Sequence, residues 1–200
     1  MEDSVKNNIF HTQDLCLRTL DTNLICKKMC AEMRNKMKIT EVLKSDKVTL
    51  SMEVFPPKTT TAAEKVNEAV RDIAALKPHF MSVTYGAAGG GTSKYTIQIA
   101  KDIKDAYGVN SLAHLTCLSS TKETVEKQIT LMKEAGIENI LALRGDIPKE
   151  TEFPLPGQFH YAAELVREIK RIAPEMCIGG ACYPEGHPEA NSKAKDILHI

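Results

Sequence analysis

Leu50-Ser51-Met52-Glu53-Val54-Phe55-Pro56-Pro57 reads as a short apolar strand, fed by Val48 and closed by two prolines that cannot continue a ladder. In its middle stands one carboxylate, Glu53, flanked in sequence by Met52 and Val54. An ionised glutamate among apolar neighbours is costly unless paired. Its pKa is therefore expected to rise towards neutrality, which suits proton transfer. The same stretch is equally compatible with an edge strand whose Glu53 faces solvent. The residues on either side decide between the two.

Working outward, strand and helix signals alternate. A short helix, Ile39 to Lys44, leads into the strand Val48 to Val54. Thr60 or Thr61 is placed to cap a helix running to Leu76, with Ala63, Val66, Val70 and Ile73 on one side. Phe80 to Thr84 is a second strand, followed by the glycine-rich loop Gly86 to Gly91. Ser93 can cap a helix from Lys94 to Tyr107 that ends at Gly108. Ser111 to Thr116 is a third strand, Thr121 to Ala135 a helix stopped by Gly136, and Glu138 to Leu143 a fourth strand. Tyr161 to Ile172 is helical, Met176 to Cys182 is a fifth strand, and Glu189 to Leu198 begins a further helix.

Repeated β-α units of roughly 30 residues imply a parallel sheet with right-handed crossovers. The strands are nearly continuous apolar runs, as expected of strands covered on both faces. The choice lies between an open doubly wound sheet and a (β/α)8 barrel. No G-x-G-x-x-G follows the first strand, and no G-x-x-x-x-G-K-[ST] occurs. Polar, chemically capable residues instead stand at the end of every strand: Glu53, Thr84, His114, Arg144 with Asp146, and Tyr183 with His187. Barrel enzymes place their sites in that way, whereas an open sheet gathers them at one switch point. The expected fold is α/β, of the (β/α)8 TIM-barrel type. A whole barrel has eight units in about 250 residues, so about five are expected here. The outermost strands would then be unpaired edges, and self-association is expected.

The composition sets further bounds. Basic and acidic residues balance at 26 each in 200 residues, which leaves no electrostatic footprint for nucleic acid or an anionic membrane. No apolar run approaches the roughly 18 residues of a membrane span. The six cysteines lack C-x-x-C spacing and read as reduced thiols in a cytoplasmic protein, with no metal site expected. Residues 1–36 differ from the rest. Leu15, Leu17, Leu20, Leu24 and Ile25 could form an amphipathic helix, but Glu2, Asp3, Asp14 and Asp21 argue against a transit peptide. They are expected to be an extension, helical or disordered, preceding a barrel domain over 37–200.

Singly, the polar residues are weak signals. The loop Gly86 to Gly91 could cradle a phosphate at the next helix or simply be a flexible connection. His114 could be a ligand or a satisfied structural histidine. Arg144-Gly145-Asp146 offers an arginine to an anion such as a pyrophosphate, or merely a surface ion pair worth under about 1 kcal/mol. His187, between prolines, could be a rigid loop residue. Their strength is that all fall on one barrel rim, which favours the tuned-acid reading of Glu53.

Five motifs then occur in order: Ser51-Met-Glu-Val-Phe-Pro-Pro-Lys58, Ser82-Val-Thr-Tyr-Gly-Ala87, Ala113-His-Leu-Thr-Cys117, Leu141-Ala-Leu-Arg-Gly-Asp146 and Ala181-Cys-Tyr-Pro-Glu-Gly-His-Pro-Glu-Ala190. Together they resemble the methylenetetrahydrofolate reductases in their short bacterial form, over about Met37 to Ile200. The resemblance implies a flavoprotein with FAD across the carboxyl face of the barrel. It implies a ping-pong reaction in which NADH or NADPH reduces FAD, and methylenetetrahydrofolate then takes the hydride to become methyltetrahydrofolate. Glu53 matches the acid that protonates the folate so that its imidazolidine ring opens. Asp146 matches a carboxylate near the flavin that contacts the folate and disfavours anionic reduced flavin. Thr84 matches a nicotinamide contact. Tyr85, Ala87, His114, Arg144, Gly145, Asp146, Tyr161, Ala162, Tyr183, His187, Ala190 and Asp196 match positions that hold FAD. The missing units would supply further contacts.

Two other readings remain. The chain could be a non-catalytic remnant, a homo-oligomer, or a subunit that completes its barrel with a partner. A flavin-free lyase or aldolase using Glu53 as base would want a lysine at a strand end, and none is found there.

Overall fold

The computed structural model describes residues 38–57, 59–85, 93–118, 120–146, 157–183, 185–187 and 189–198. The expected extension over 1–36, the glycine-rich loop and Ala87 lie outside the described residues. The elements run α1 (Ile39–Val42), β1 (Ser51–Val54), a 3-10 turn (Thr60–Ala62), α2 (Ala63–Ala75), β2 (Phe80–Val83), α3 (Ser93–Asp105) and β3 (Asn110–Thr116). They continue with α4 (Lys122–Glu134), β4 (Asn139–Leu143), α5 (Ala162–Ile172), β5 (Cys177–Gly180) and α6 (Lys193–Ile197).

The five strands form one parallel sheet in the sequential order β1-β2-β3-β4-β5. Right-handed crossovers between neighbours that always advance in one direction put the intervening helices on one face. A doubly wound sheet would reverse its order partway. The sheet is therefore part of a (β/α)8-type arrangement. Met52 and Val54, Met81 and Val83, Ala113 and Leu115, and Ile140 and Ala142 share the helix-covered face and build the core with Val70, Ile103, Ile129, Met132, Leu165 and Ile169. Burying a side chain of this size contributes roughly 1.5–3 kcal/mol each before entropy is charged against it.

Strand alternation turns Glu53, Ser82, Leu112, His114, Leu141 and Gly179 to the other face. The amino end of that sheet is tied to α1. Buried Asn139 accepts from the Ile39 N–H at 2.9 Å and donates to the Ser111 carbonyl at 3.1 Å.

Several boundaries differ from expectation for local reasons. The first strand begins at Ser51 rather than Val48, because the Leu50 N–H is taken by His79 Nδ1 at 3.0 Å. Neither Thr60 nor Thr61 caps α2. The chain enters through the 3-10 turn, Ala62 holds the cap position, and the Thr61 hydroxyl pairs with that of Thr59 at 3.0 Å. Ser93 begins α3 rather than preceding it. Thr121 does cap α4, accepting from the Thr124 N–H at 3.3 Å. The last helix starts at Lys193 instead of Glu189, because Ser192 caps it through the Lys195 N–H at 3.3 Å. Among the described residues, no helix is long and apolar enough to cross a membrane.

Candidate functional site

The carboxyl ends of the strands carry two polar clusters. The first centres on Glu53. Its register partner is Ser82, whose hydroxyl donates to Glu53 Oε2 at 3.1 Å. His114 projects from the same sheet face, and its Nε2 lies 3.5 Å from the same carboxylate oxygen. The Glu53 side chain is 48% exposed, so the expectation that apolar neighbours enclose it is corrected. Met52 and Val54 are adjacent in sequence, but the pleat sends them into the helix-covered core, away from the carboxylate. His114 is the enclosed member. Its side chain is 9% exposed, and Nε2 is buried without a hydrogen-bond partner among the described residues. Burial holds its pKa below 6.5, partly countered by the Glu53 charge.

The second cluster lies past β4 and β5. Pairing of β3 with β4 continues beyond the strands proper, with Leu118 N–H donating to the Arg144 carbonyl at 2.8 Å. Arg144 makes the ion pair that its sequence leaves open beside an anion-binding role. Its two terminal nitrogens grip both carboxylate oxygens of Glu189 at 2.7 and 2.8 Å, and its Nε donates to the Gly145 carbonyl at 3.3 Å. The paired carboxylate raises the guanidinium pKa further, and Asp146 and Tyr183 act in the same direction. Gly145 turns the chain at φ +90°, and a Cβ there would stand 3.3 Å from the Thr116 Cβ.

Glu189 also reaches His187, donating its backbone N–H to Nδ1 at 3.1 Å. Neutral His187 must then carry its proton on Nε2. The ring meets Tyr183 edge-on at 4.9 Å. The His187 N–H donates to Asp196 Oδ2 at 2.7 Å, so the Asp196 carboxylate braces this loop. The Ala190 N–H donates to the His187 carbonyl at 2.9 Å.

The remaining positions are more scattered. Thr84 donates its N–H to the Val54 carbonyl at 3.0 Å and accepts from Thr96 Oγ1 at 2.9 Å. Tyr85 packs against the core. Asp146 is exposed. Tyr161 is also exposed and holds the cap position of α5 without a side-chain cap bond, while Ala162 is the first residue of that helix. Glu164 ties the cap by accepting from the His160 and Tyr161 N–H groups at 2.6 and 3.1 Å. Sequence reasoning assigned no role to Ser82 or Glu189. Alternation within β2, which puts apolar Met81 and Val83 on one face, could have found Ser82 on the other. Glu189 has no local signal, since its partner is 45 residues away.

A sequentially ordered parallel sheet, with a carboxylate, an imidazole and a guanidinium at its carboxyl edge, defines a protein of the (β/α)-barrel class. Comparison with known proteins sharpens this. The profile described as "Methylenetetrahydrofolate reductase" matches residues 38–200, and the chain belongs to that family. It is 38% identical over 154 residues to 5,10-methylenetetrahydrofolate reductase of Pectobacterium carotovorum subsp. carotovorum, covering 77% of this chain and 50% of the relative. Against the Escherichia coli (strain K12) protein of the same name it is 37% identical over 153 residues, covering 76% and 50%. Methylenetetrahydrofolate reductase 2 of Schizosaccharomyces pombe is 39% identical over 145 residues, covering 70% and 22%. The chain thus spans about half the length of the bacterial relatives it matches. Among solved structures, N-acetylneuraminate lyase from Fusobacterium nucleatum aligns with a TM-score of 0.46 at 13% identity, over 76% of this chain and 52% of that one.

Proposed function

We propose that this chain forms the first part of a flavin-dependent reductase that converts 5,10-methylenetetrahydrofolate to 5-methyltetrahydrofolate. NADH or NADPH is the electron source. FAD, when bound, supplies the carrier that accepts a hydride from the nicotinamide and passes it to the folate in a ping-pong sequence. The observation that carries the reading is the half-exposed carboxylate of Glu53, held on one oxygen by Ser82 and facing His114. One side of that carboxylate remains open to a ligand, as a proton donor to a folate ring nitrogen requires.

The donor groups suit a flavin dinucleotide. His114 offers a buried nitrogen with no hydrogen-bond partner among the described residues. Of the five guanidinium N–H groups, Arg144 spends three on Glu189 and Gly145, leaving two for a ligand. His187 offers Nε2–H. Thr84 is assigned to the nicotinamide, Tyr85, Ala87, Gly145, Tyr161, Ala162, Tyr183, Ala190 and Asp196 to the flavin, and Asp146 to the folate and flavin together.

The test is an absorption spectrum of the purified protein, followed by anaerobic addition of NADH and then folate. A yellow protein bleached by NADH and restored by methylenetetrahydrofolate supports the proposal. A preparation that never retains added FAD overturns it. Glu53→Gln should stop the folate step while leaving bleaching intact, and loss of both would refute the acid role.

A second reading has its own observation. Among the described residues, β1 and β5 each pair on one side only. A chain that needs a partner subunit, or a second copy of itself, to complete the barrel would bind flavin only after mixing with that partner.

A further inference from the structure

We infer that Glu189 is a positioning residue, which fixes Arg144 in advance for a phosphate-bearing ligand. The inference rests on the flavin reading above, with Arg144 facing the pyrophosphate. Arginine on a strand-end loop is a long side chain with several rotamers, and ordering it at the moment of binding costs affinity. Here the ordering is already done. Both terminal nitrogens are held by one carboxylate at 2.7 and 2.8 Å, Nε by the Gly145 carbonyl at 3.3 Å, and the arginine side chain is only 18% exposed.

The alternative is that Glu189 competes with an incoming anion for the same fork. Three features favour positioning. A guanidinium gripped along one edge keeps an N–H on each terminal nitrogen directed elsewhere, so a ligand oxygen can be bound without displacing Glu189. Glu189 is itself held, its N–H on His187 Nδ1 at 3.1 Å. The loop that carries it is braced from α6 by Asp196 on the His187 N–H at 2.7 Å. A carboxylate built to swing away would not sit beside so many backbone anchors. Two N–H groups of Arg144 and the Nε2–H of His187 are thus left for oxygen acceptors.

The experiment uses the full-length chain stripped of flavin, with FAD and riboflavin as probes and fluorescence quenching as readout. Riboflavin has the ring system but no phosphate, so it reports on the rest of the site. Glu189→Gln and Glu189→Ala should weaken FAD about tenfold, the cost of ordering one arginine on binding. Riboflavin should stay within about twofold, no more than a small fraction of that cost. In an Arg144→Ala background, Glu189→Gln should add nothing further, whereas a merely structural glutamate would still weaken binding. Tighter FAD binding by the Glu189 variants would show competition and overturn the proposal. Equal losses for both probes, or no loss, would also overturn it. If the unaltered protein binds riboflavin and FAD alike, Arg144 does not face the pyrophosphate. If it binds neither, the flavin reading itself fails.

Discussion

Glu53 and His114 face each other across the edge of the sheet, Oε2 to Nε2 at 3.5 Å, with opposite exposure: 48% for the carboxylate and 9% for the imidazole. The carboxylate is therefore the more open of the two groups and the imidazole the enclosed one. Burial keeps the imidazole neutral more effectively than the neighbouring carboxylate charges it. Ser82 supplies a direct hydrogen bond to the same carboxylate oxygen.

The pH dependence follows from His114. Its folded pKa lies below the ordinary 6.5, so on acidification the unfolded chain takes up this proton before the folded one does. Stability should then fall as the pH drops from about 6.5 towards the lower folded value, and should be unaffected by this group at higher pH. Melting curves at about pH 7.5 and pH 5 should show a larger loss for the unaltered protein than for His114→Gln, which cannot titrate. Equal losses would show that His114 is not buried neutral.

Ser82→Ala removes the hydroxyl bond to Glu53 Oε2 from a nearly buried position without adding bulk. A hydrogen bond that holds a half-exposed carboxyl group in place is worth about 1 kcal/mol, so the folate half-reaction should slow roughly fivefold. Flavin reduction by NADH should be unchanged. Stopped-flow measurement of the two half-reactions separates them, and Ser82→Thr, which retains a hydroxyl, should recover most of the loss. A parallel decline in both half-reactions would place Ser82 in packing rather than in holding the acid.

The sheet edges predict association. Leu50 and Phe55 flank β1 and are exposed, as is Val48, while β1 has a partner only on its β2 side among the described residues. Exposed strand edges next to apolar side chains invite pairing with another chain. Light scattering on the 200-residue chain should show oligomers or aggregates. A monodisperse monomer with one cooperative melt would contradict this.

Much of the architecture was legible in the residues, because each element is announced locally. Thr121 and Gly136 bracket α4, and apolar runs such as Ile140 to Leu143 mark strands. The polar strand ends chose the barrel over the doubly wound sheet, and the sequential strand order agrees with that choice. What was not legible depends on partners distant in sequence. Glu53 was read through Met52 and Val54, which the pleat turns the other way. The Arg144 sequence leaves an ion pair open but cannot name its partner, because Glu189 lies 45 residues on. Asp196 was assigned to a ligand, yet its carboxylate also braces the His187 backbone. In each case the missing information was which side chains the sheet and its loops bring face to face.

Two left-handed backbone positions predict opposite outcomes. Gly145 adopts φ +90° between Arg144 and Asp146, with the Thr116 Cβ 3.3 Å from where its own Cβ would be. Gly145→Ala should therefore cost at least about 1 kcal/mol from the conformation alone, and more from crowding. For a chain of this size each kcal/mol lowers Tm by about 2–4 °C. Because the strained turn sits between the two groups assigned to flavin and folate, FAD retention should fall along with Tm. Lys77 is the described non-glycine residue with positive φ, at +55° just past the end of α2, where its N–H donates to the Ala74 carbonyl at 2.9 Å. Glycine is the usual occupant of such a helix end. Lys77→Gly relieves the left-handed penalty but gives the unfolded chain more freedom, leaving a net gain of about 0.5–1 kcal/mol. Its Tm should rise by a few degrees with FAD retention unchanged, since the residue lies at the amino end of the sheet, away from the rim. Thermal melts and flavin titrations on both variants check the pair. A fall in Tm for Lys77→Gly, or an unperturbed Gly145→Ala, would show that backbone sign does not govern these two positions.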